Sequence, residues 1–421
     1  MPRRSFPVWV ILASVSCFLS ISARADDWPQ WRGPQRDGIC RETGLLKTWP
    51  QGGPTLVWKA EGLGDGYAGV AVVKGRIYTM GNRGGTECVI ALSADKGKEL
   101  WSFEIGRADS NGGGYPGPRS TPTIDGGALY ALGIDGELVC LDAASGKLHW
   151  RKDVRKEFAG ETPGWGYSES VLIDGNAVLC TPGGREATIV ALNKKNGALG
   201  WKASIPRDGS RGGKTDRAQY SSIVKAKLGG VDQYVQFLRS GVAAVSAANG
   251  QFLWRYDRSA NGTANITTPI FHENFVFTAS GYGTGGGLVE VSREGKVLQA
   301  KEVYFTNKMK NHHGGVVLFD GHIYGFDEGI LRCLDFKTGE GAWENRSVGK
   351  GSVLYADGHI IARSERGPVA LVEAAPSGYV EKGRFEQPSR SGKNAWPHPV
   401  IADGKLYLRD QSVLLSYDVK G

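Results

Sequence analysis

Short apolar stretches alternate with polar residues along most of this chain, and turns rich in glycine separate them. The clearest examples are "VVKGRIYTM" (72–80), "LFDGHIYGF" (318–326) and "IADGKLYLR" (401–409). Alternation with period two predicts β-strands, and Gly beside Asp or Lys provides the positive φ of tight hairpin turns. With 62 Gly in 421 residues, the chain has the composition of a structure with many turns.

A second pattern repeats about every fifty residues: a Gly followed four residues later by a Trp. The five pairs are Gly97/Trp101, Gly146/Trp150, Gly197/Trp201, Gly250/Trp254 and Gly339/Trp343. Nearly identical text surrounds two of them, "CLDAASGKLHW" (140–150) and "CLDFKTGEGAW" (333–343). Each unit contains a hairpin followed by two further strands, the last of which carries the Trp.

Eight such units are present if the degenerate hairpins "KLGGVDQYVQF" (227–237) and "FHENFVFTA" (271–279) are counted. Four-stranded antiparallel sheets repeated around a ring form a β-propeller. The last unit, Val400 to Asp418, has room for three strands, and "GPTLVWKA" (53–60) has no unit of its own. We therefore predict an all-β, eight-bladed propeller that is closed by this N-terminal strand. Residues 53–421 form the propeller domain, and residues 26–52 form a lead segment.

Residues 1–25 have the features of a secretory signal peptide: Arg3 and Arg4, an apolar stretch, and a small-x-small site ending at Ala25. A retained membrane anchor is the alternative, but the apolar run is shorter than the ~20 residues that cross a bilayer. We expect an exported monomer, periplasmic or extracellular, that is not an integral membrane protein. Cleavage would lower the net charge of +8 by three, and no basic block interleaved with aromatic residues indicates nucleic acid.

The repeat "LD-x-x-TG-x-x-x-W", most complete in "LDFKTGEGAW" (334–343), resembles the tryptophan-docking repeat of the PQQ-type quinoprotein propellers. The resemblance covers nearly the whole predicted mature chain. That superfamily contains PQQ- and calcium-dependent alcohol dehydrogenases, and also non-catalytic propellers such as the scaffold lipoprotein of the outer-membrane barrel-assembly machinery. The repeat identifies a fold rather than an activity, because the docking tryptophans pack blade on blade.

Candidate functional residues lie where the units differ, at the start of each predicted inner strand, because these positions surround the central channel. They are Arg119, Tyr167, Glu169, Tyr220, Asn265, His312, Lys350, Trp396 and His398. Their mixture of aromatic, cationic and polar groups is typical of a ligand pocket. The alternative is that they only solvate a water-filled channel. The expected ligand is a polar or anionic small molecule or polymer, or a protein partner.

A metal centre is not indicated by the histidines. We expect His312 and His313 to be neighbours on a strand and therefore to point to opposite faces. The resemblance implies PQQ and calcium as cofactors of an alternative function, dehydrogenation of alcohols or hydroxylated polymers, with Glu169 and Asn265 as calcium ligands. The adjacent-cysteine pair of those enzymes is missing from the sequence, and Asn311 or His312 stands where their Asp base is expected. We therefore predict a non-catalytic ligand- or partner-binding propeller.

Overall fold

The computed structural model describes residue 1 and residues 27–108, 114–206 and 216–421. Within these ranges the chain forms eight sheets, each with four antiparallel strands, and these are the eight blades of a propeller; one sheet gains a short fifth strand from the lead segment. The predicted fold class is therefore confirmed. The predicted signal peptide, apart from Met1, lies outside the described residues, so its cleavage near Ala25 stays a prediction.

Each blade runs from an inner strand that lines the channel to an outer strand at the rim. Blades 1 and 2 comprise Ala71–Val73, Arg76–Arg83, Thr86–Ser93 and Glu99–Arg107, then Thr123–Asp125, Ala128–Leu132, Glu137–Asp142 and Leu148–Asp153. Blades 3 and 4 comprise Leu172–Asp174, Ala177–Cys180, Ile189–Asn193 and Leu199–Ala203, then Val224–Leu228, Val231–Leu238, Gly241–Ser246 and Phe252–Tyr256. Blades 5 and 6 comprise Ile270–His272, Phe275–Ser280, Gly285–Glu294 and Val297–Thr306, then Val316–Phe319, His322–Asp327, Ile330–Asp335 and Gly341–Asn345. Blade 7 comprises Gly351–Ala356, His359–Ser364, Pro368–Glu373 and Glu381–Glu386, and blade 8 comprises Val400–Ala402, Lys405–Asp410, Val413–Asp418 and Thr55–Ala60.

The ring is closed between the two ends of the chain, as the strand count predicts. Thr55–Ala60 pairs antiparallel with Val413–Asp418, and the register runs from Thr55 opposite Asp418 to Ala60 opposite Leu414. The N-terminal strand is thus the outer strand of blade 8. Closure removes the unpaired sheet edge that three strands alone would expose.

Neighbouring blades pack through the tryptophans of the repeat. The indole of Trp58 lies on Gly97 of blade 1, so close that a Cβ on that glycine would be 2.6 Å from the ring. The indole Nε1 of Trp58 donates to the carbonyl of Ala94, at 3.0 Å. The same two contacts join Trp150 to the glycine and carbonyl of the blade 3 turn. In blade 5 a tyrosine, Tyr304, takes the tryptophan's place against Gly339.

The lead segment does not lie outside the ring but enters the channel. Its Trp28 exchanges backbone hydrogen bonds with Val72 of blade 1, and Ile39–Cys40 forms a short parallel strand beside blade 7. Arg32 and Arg36 are each 3% exposed. Their guanidinium groups donate to the carbonyl of Val316 in blade 6 and to that of Val171 beside blade 3. The segment therefore ties several blades together from inside the ring.

Helix is almost absent from the described part of the chain. The α-helix there is Val154–Glu157, capped by the side chain of Asp153, which accepts from the backbone of Lys156. No helix in the ranges that the structure describes is long and apolar enough to span a bilayer.

Candidate functional site

A cavity of about 210 Å³ lies at one end of the channel, between the loops that lead into the inner strands. The lead segment contributes part of its wall through Trp31 and Arg32. Seven aromatic residues line it: Trp31, Tyr67, Tyr115, Trp165, Tyr220, Tyr282 and Trp396. The remaining lining residues include three histidines, Arg119 and several hydroxyl side chains. The channel is thus not a uniform water-filled pore at this end.

The aromatic rings form connected walls rather than isolated contacts. The ring of Trp396 lies 4.5 Å from that of Tyr67 and 4.9 Å from that of Tyr115. On another side, the rings of Trp165 and Tyr220 are 5.6 Å apart. Tyr115 and Tyr282 are 38% and 48% exposed, so these two rings form the mouth of the cavity. Such faces offer stacking and cation–π surfaces to a ligand.

Besides Arg32 in the wall, two cationic side chains among the described residues lie at this end of the channel. Arg119 donates from Nη1 to the carbonyl of Trp165, at 2.7 Å, and its guanidinium carbon lies 5.7 Å from the centre of the Tyr67 ring. Lys350 does not line the cavity itself, but its Nζ is 2.7 Å from Nδ1 of His312, which does. The predicted residues Arg119, Tyr220, His312, Trp396 and His398 thus share one cavity, with Lys350 beside it.

The expectation that His312 and His313 point to opposite faces is wrong. Both precede the inner strand of blade 6, which begins at Val316, so the alternation of a pleated strand does not apply to them. Their ring centres are 3.7 Å apart, and both line the cavity. Burial lowers the pKa of His312 to about 3 and that of His313 well below its ordinary value, so both imidazoles are neutral at pH 7.

Tyr167, Glu169 and Asn265 do not line the cavity, contrary to the placement expected from the sequence. Tyr167 is 1% exposed and donates to the carbonyl of Pro182. In the "WGYSES" stretch (165–170), Ser168 and Ser170 face the cavity instead, because side chains alternate along extended backbone. The shift of one residue therefore turns Tyr167 and Glu169 into the blade.

The calcium ligands implied by the resemblance do not fit this structure. Glu169 is 2% exposed and accepts from the backbone of Thr181 at 2.7 Å and from Gln236 at 3.2 Å. Asn265 is fully buried, and its amide donates to the carbonyl of Leu238. These oxygens and the amide are engaged in protein hydrogen bonds away from the cavity. The five cysteines among the described residues are buried and no two of them are adjacent in sequence, so they cannot form the adjacent-cysteine disulfide that covers a quinone.

The sequence reasoning missed Tyr282 and Glu365, which belong to a different kind of turn. In an antiparallel blade, the turn between the second and third strands lies at the same end as the start of the inner strand. Tyr282 lies in that turn of blade 5, and Glu365 lies in that turn of blade 7. The side chain of Glu365 accepts from the indole of Trp396 at 3.0 Å. The turn sequences "SGYGTGG" (280–286) and "SERGP" (364–368) therefore already indicated that Tyr282 and Glu365 lie at the cavity end of their blades.

The inner wall of the cavity depends on a close approach that needs glycine. His398 donates from Nε2 to the carbonyl of His313, at 2.8 Å, and its ring lies 4.6 Å from that of Trp31. Gly315 has φ +64°, and a Cβ there would be 2.5 Å from the guanidinium of Arg32 and 2.7 Å from the ring of His398. The lead segment, blade 6 and blade 8 meet at this glycine.

Known proteins similar to this chain in sequence include outer membrane protein assembly factors. The model of the family described as outer membrane protein assembly factor BamB matches residues 85–345. BamB of Moranella endobia is 27% identical over 316 residues, which are 69% of this chain and 71% of that protein. BamB of Salmonella typhimurium is 26% identical over 85% of this chain and 86% of its own length.

Solved structures share the fold. The crystal structure of BamB from Moraxella catarrhalis aligns with a TM-score of 0.59 at 16% identity, covering 87% of this chain and 98% of that one. Quinohemoprotein alcohol dehydrogenase from Comamonas testosteroni aligns with a TM-score of 0.64 at 13% identity, covering 94% of this chain and 81% of the enzyme. The fold is therefore common to assembly factors and to enzymes.

Proposed function

The chain belongs to the family of the outer membrane protein assembly factor BamB, and from this premise we propose that it is an exported, non-catalytic scaffold. Its binding site is the mouth of the channel cavity, and its ligand is a partner protein that presents an extended acidic segment there. In this proposal the signal peptide is removed near Ala25, and the chain acts as a monomer in the periplasm or outside the cell.

The observation that carries the proposal is the combination of aromatic walls with cationic groups at one mouth. Rings of Tyr67, Tyr115 and Trp396 give a continuous apolar face, and Arg119 and Lys350 lie beside it. The carboxylate of Glu365, beside this cluster, accepts from the indole of Trp396. The site therefore favours an anionic group flanked by apolar or planar ones.

A charge-assisted hydrogen bond to a carboxylate contributes roughly 1.5–3 kcal/mol, and a buried ring contributes through its apolar area. An acidic peptide segment can use both kinds of contact at once. A small polar or anionic molecule would use the same groups, and the experiment below distinguishes the two ligands because only a protein is recovered as a cross-linked product.

The alternative function, PQQ- and calcium-dependent dehydrogenation, is supported by likeness of fold alone. The enzyme neighbour is 13% identical, and Glu169 and Asn265 are engaged in the blades away from the cavity. No observation in the described residues favours this alternative over the scaffold.

Site-specific photo-cross-linking tests the proposal in the cell. A photoreactive amino acid replaces Tyr115 or Tyr282 at the mouth. It replaces Phe271 as the control matched to Tyr115, since both are 38% exposed and Phe271 lies away from the cavity. We expect a barrel-assembly component to be cross-linked from the two mouth positions and not from residue 271. Equal products from all three positions, or none from the mouth, would contradict the proposal.

Charge variants sharpen the same test. Replacing Arg119 and Lys350 together by Ala should lower the yield of the cross-linked product by roughly a hundredfold, since two charge-assisted contacts are lost. The control pair is Lys147 and Arg151, which are exposed on blade 2 away from the cavity. Removing them should leave the yield unchanged, and an equal loss with both pairs would indicate only non-specific attraction of charge.

A further inference from the structure

One cluster beside the cavity goes beyond partner binding: His312, His313 and Glu365. One ligand atom from each residue lies within 4.8 Å of the others. The histidines come from the loop before the inner strand of blade 6, and the carboxylate comes from a turn of blade 7. Three residues from two blades therefore converge on one point, and two imidazoles with one carboxylate form a donor set that zinc-class divalent ions use.

The geometry leaves an unfilled position among these atoms. Nδ1 of His313 is buried and has no hydrogen-bond partner among the residues that the structure describes. The nearest acidic atom is Oε1 of Glu365, at 3.7 Å, which is too far for a hydrogen bond. Two ligands bound to one tetrahedral ion, with bonds of about 2.0–2.2 Å, lie roughly 3.4 Å apart. The separation is thus close to that of two ligands sharing an ion.

A cation already occupies the edge of this position. Nζ of Lys350 is 2.7 Å from Nδ1 of His312 and 3.8 Å from Oε1 of Glu365. The ammonium group therefore sits where positive charge is stabilised by a neutral imidazole and a carboxylate. The side chain of Lys350 is 39% exposed, and its flexible stem allows the ammonium to swing into solvent.

We propose that His312, His313 and Glu365 form a binding site for a zinc-class divalent transition-metal ion, and that the Lys350 ammonium competes with the ion for it. The three protein ligands leave a fourth coordination position open towards the cavity, where water or an anionic group of a bound partner completes the shell. The indole of Trp396 orients two of these ligands. Its ring is stacked on that of His313, with centres 4.0 Å apart, and its Nε1 donates a hydrogen bond to Glu365.

The site does not depend on the proposed scaffold function, and metal titration of the full, untagged chain tests it. After treatment with a chelator, isothermal titration calorimetry with Zn²⁺ and the visible absorption of added Co²⁺ measure binding. We expect one ion per chain. Glu365→Gln keeps an acceptor for Trp396 and should weaken Zn²⁺ affinity by roughly a hundredfold, as should His313→Asn.

Two further variants keep the proposal falsifiable. Lys350→Met removes the competing ammonium and should tighten Zn²⁺ binding, a gain that misfolding does not produce. His322→Asn, at an exposed hairpin histidine whose Nδ1 contacts the carbonyl of Asp320, should leave binding unchanged. The proposal is overturned if neither the wild type nor Lys350→Met binds Zn²⁺ more tightly than His313→Asn, or if His322→Asn weakens binding as much as Glu365→Gln.

Discussion

The junctions between blades and the wall of the channel are built on opposite rules. At the junctions, the same contact recurs around the ring: an indole on a glycine of the next blade, as in Trp58 on Gly97 and Trp101 on Gly146. In the channel, the blades that line the cavity contribute different side chains at the same structural step. Blade 2 contributes Arg119, and blade 6 contributes His312.

The difference follows from what each region must satisfy. Neighbouring blades from blade 8 through blade 4 meet with one geometry, so one solution in sequence serves these four junctions and is repeated. The channel is a single space shared by several blades, and identical residues there would bring like charges or equal bulk to one axis. Positions at which the repeats differ therefore indicate the site, and positions at which the same residue recurs indicate the fold.

The largest expected effect is loss of the junction that closes the ring. Deleting residues 27–60 removes the outer strand of blade 8 and leaves Val413–Asp418 with an unpaired edge. We expect no cooperative thermal unfolding, measured by circular dichroism, and aggregation of the chain. Deleting residues 27–52 alone keeps Thr55–Ala60 and should preserve a cooperative transition at a lower temperature. If the chain without residues 27–60 melts like the intact protein, closure by the N-terminal strand does not stabilise the ring.

The same contrast explains what the sequence could predict. Because hairpin turns and docking tryptophans have local signatures that recur, the eight blades and the closing strand could be predicted from the sequence. The site could be predicted only in part. Arg119 and His312 stand at the predicted step, whereas Glu169 and Asn265 are one residue out of phase with the cavity. Placement of the lead in the channel rests on long-range hydrogen bonds of Arg32 and Arg36, and no local pattern encodes these.

Glu169 sharpens the comparison. Its backbone lies just before the inner strand of blade 3, but its side chain points into the blade and not into the channel. Burial raises the pKa of this carboxyl from its ordinary value of 4.5 to about 7, against the opposing effects of the Thr181 hydrogen bonds and of nearby Arg36. Between these pH values the native chain holds a proton that the unfolded chain has lost. Stability therefore falls as pH rises through this window.

Glu169→Gln should remove that dependence. The free energy of unfolding of the variant minus that of the wild type should rise by about 3 kcal/mol between pH 4.5 and pH 8, measured by urea denaturation. Other titrating groups cancel in the difference. A difference that is independent of pH would show that Glu169 titrates normally in the folded protein.

A smaller effect separates the clash at a junction from backbone strain. Gly97 and Gly75 have φ +65° and +73°, so alanine pays a similar conformational cost at either position. A Cβ at Gly97 meets the ring of Trp58 at 2.6 Å, whereas a Cβ at Gly75 meets nothing within 4 Å. We expect Gly97→Ala to destabilise the protein by about 2 kcal/mol more than Gly75→Ala. Equal losses would mean that the indole moves aside freely, and that the junction tolerates any small residue.

The smallest effect on stability concerns Tyr282, a residue at the channel mouth with a strained backbone conformation. Tyr282 has φ +56°, a conformation that bulky side chains rarely adopt, and it is 48% exposed. Its hydroxyl is 2.9 Å from Nε2 of His312, so the ring is held across the cavity mouth.

Glu273, in the hairpin of blade 5, has φ +53° without contacting the cavity and is the matched control. Glu273→Gly should stabilise the chain by about 0.5–1 kcal/mol, because glycine adopts this φ at no steric cost. Tyr282→Gly should gain less, since the contact with His312 is lost, and its free energy of unfolding should stay within about 1 kcal/mol of the wild type. If Tyr282→Gly instead destabilises the protein by several kcal/mol, the ring is part of the packing that holds the blades together. If it leaves stability unchanged while the cross-linked product from residue 115 is lost, the strain at Tyr282 is retained for binding, as a site that diverges from the repeat requires.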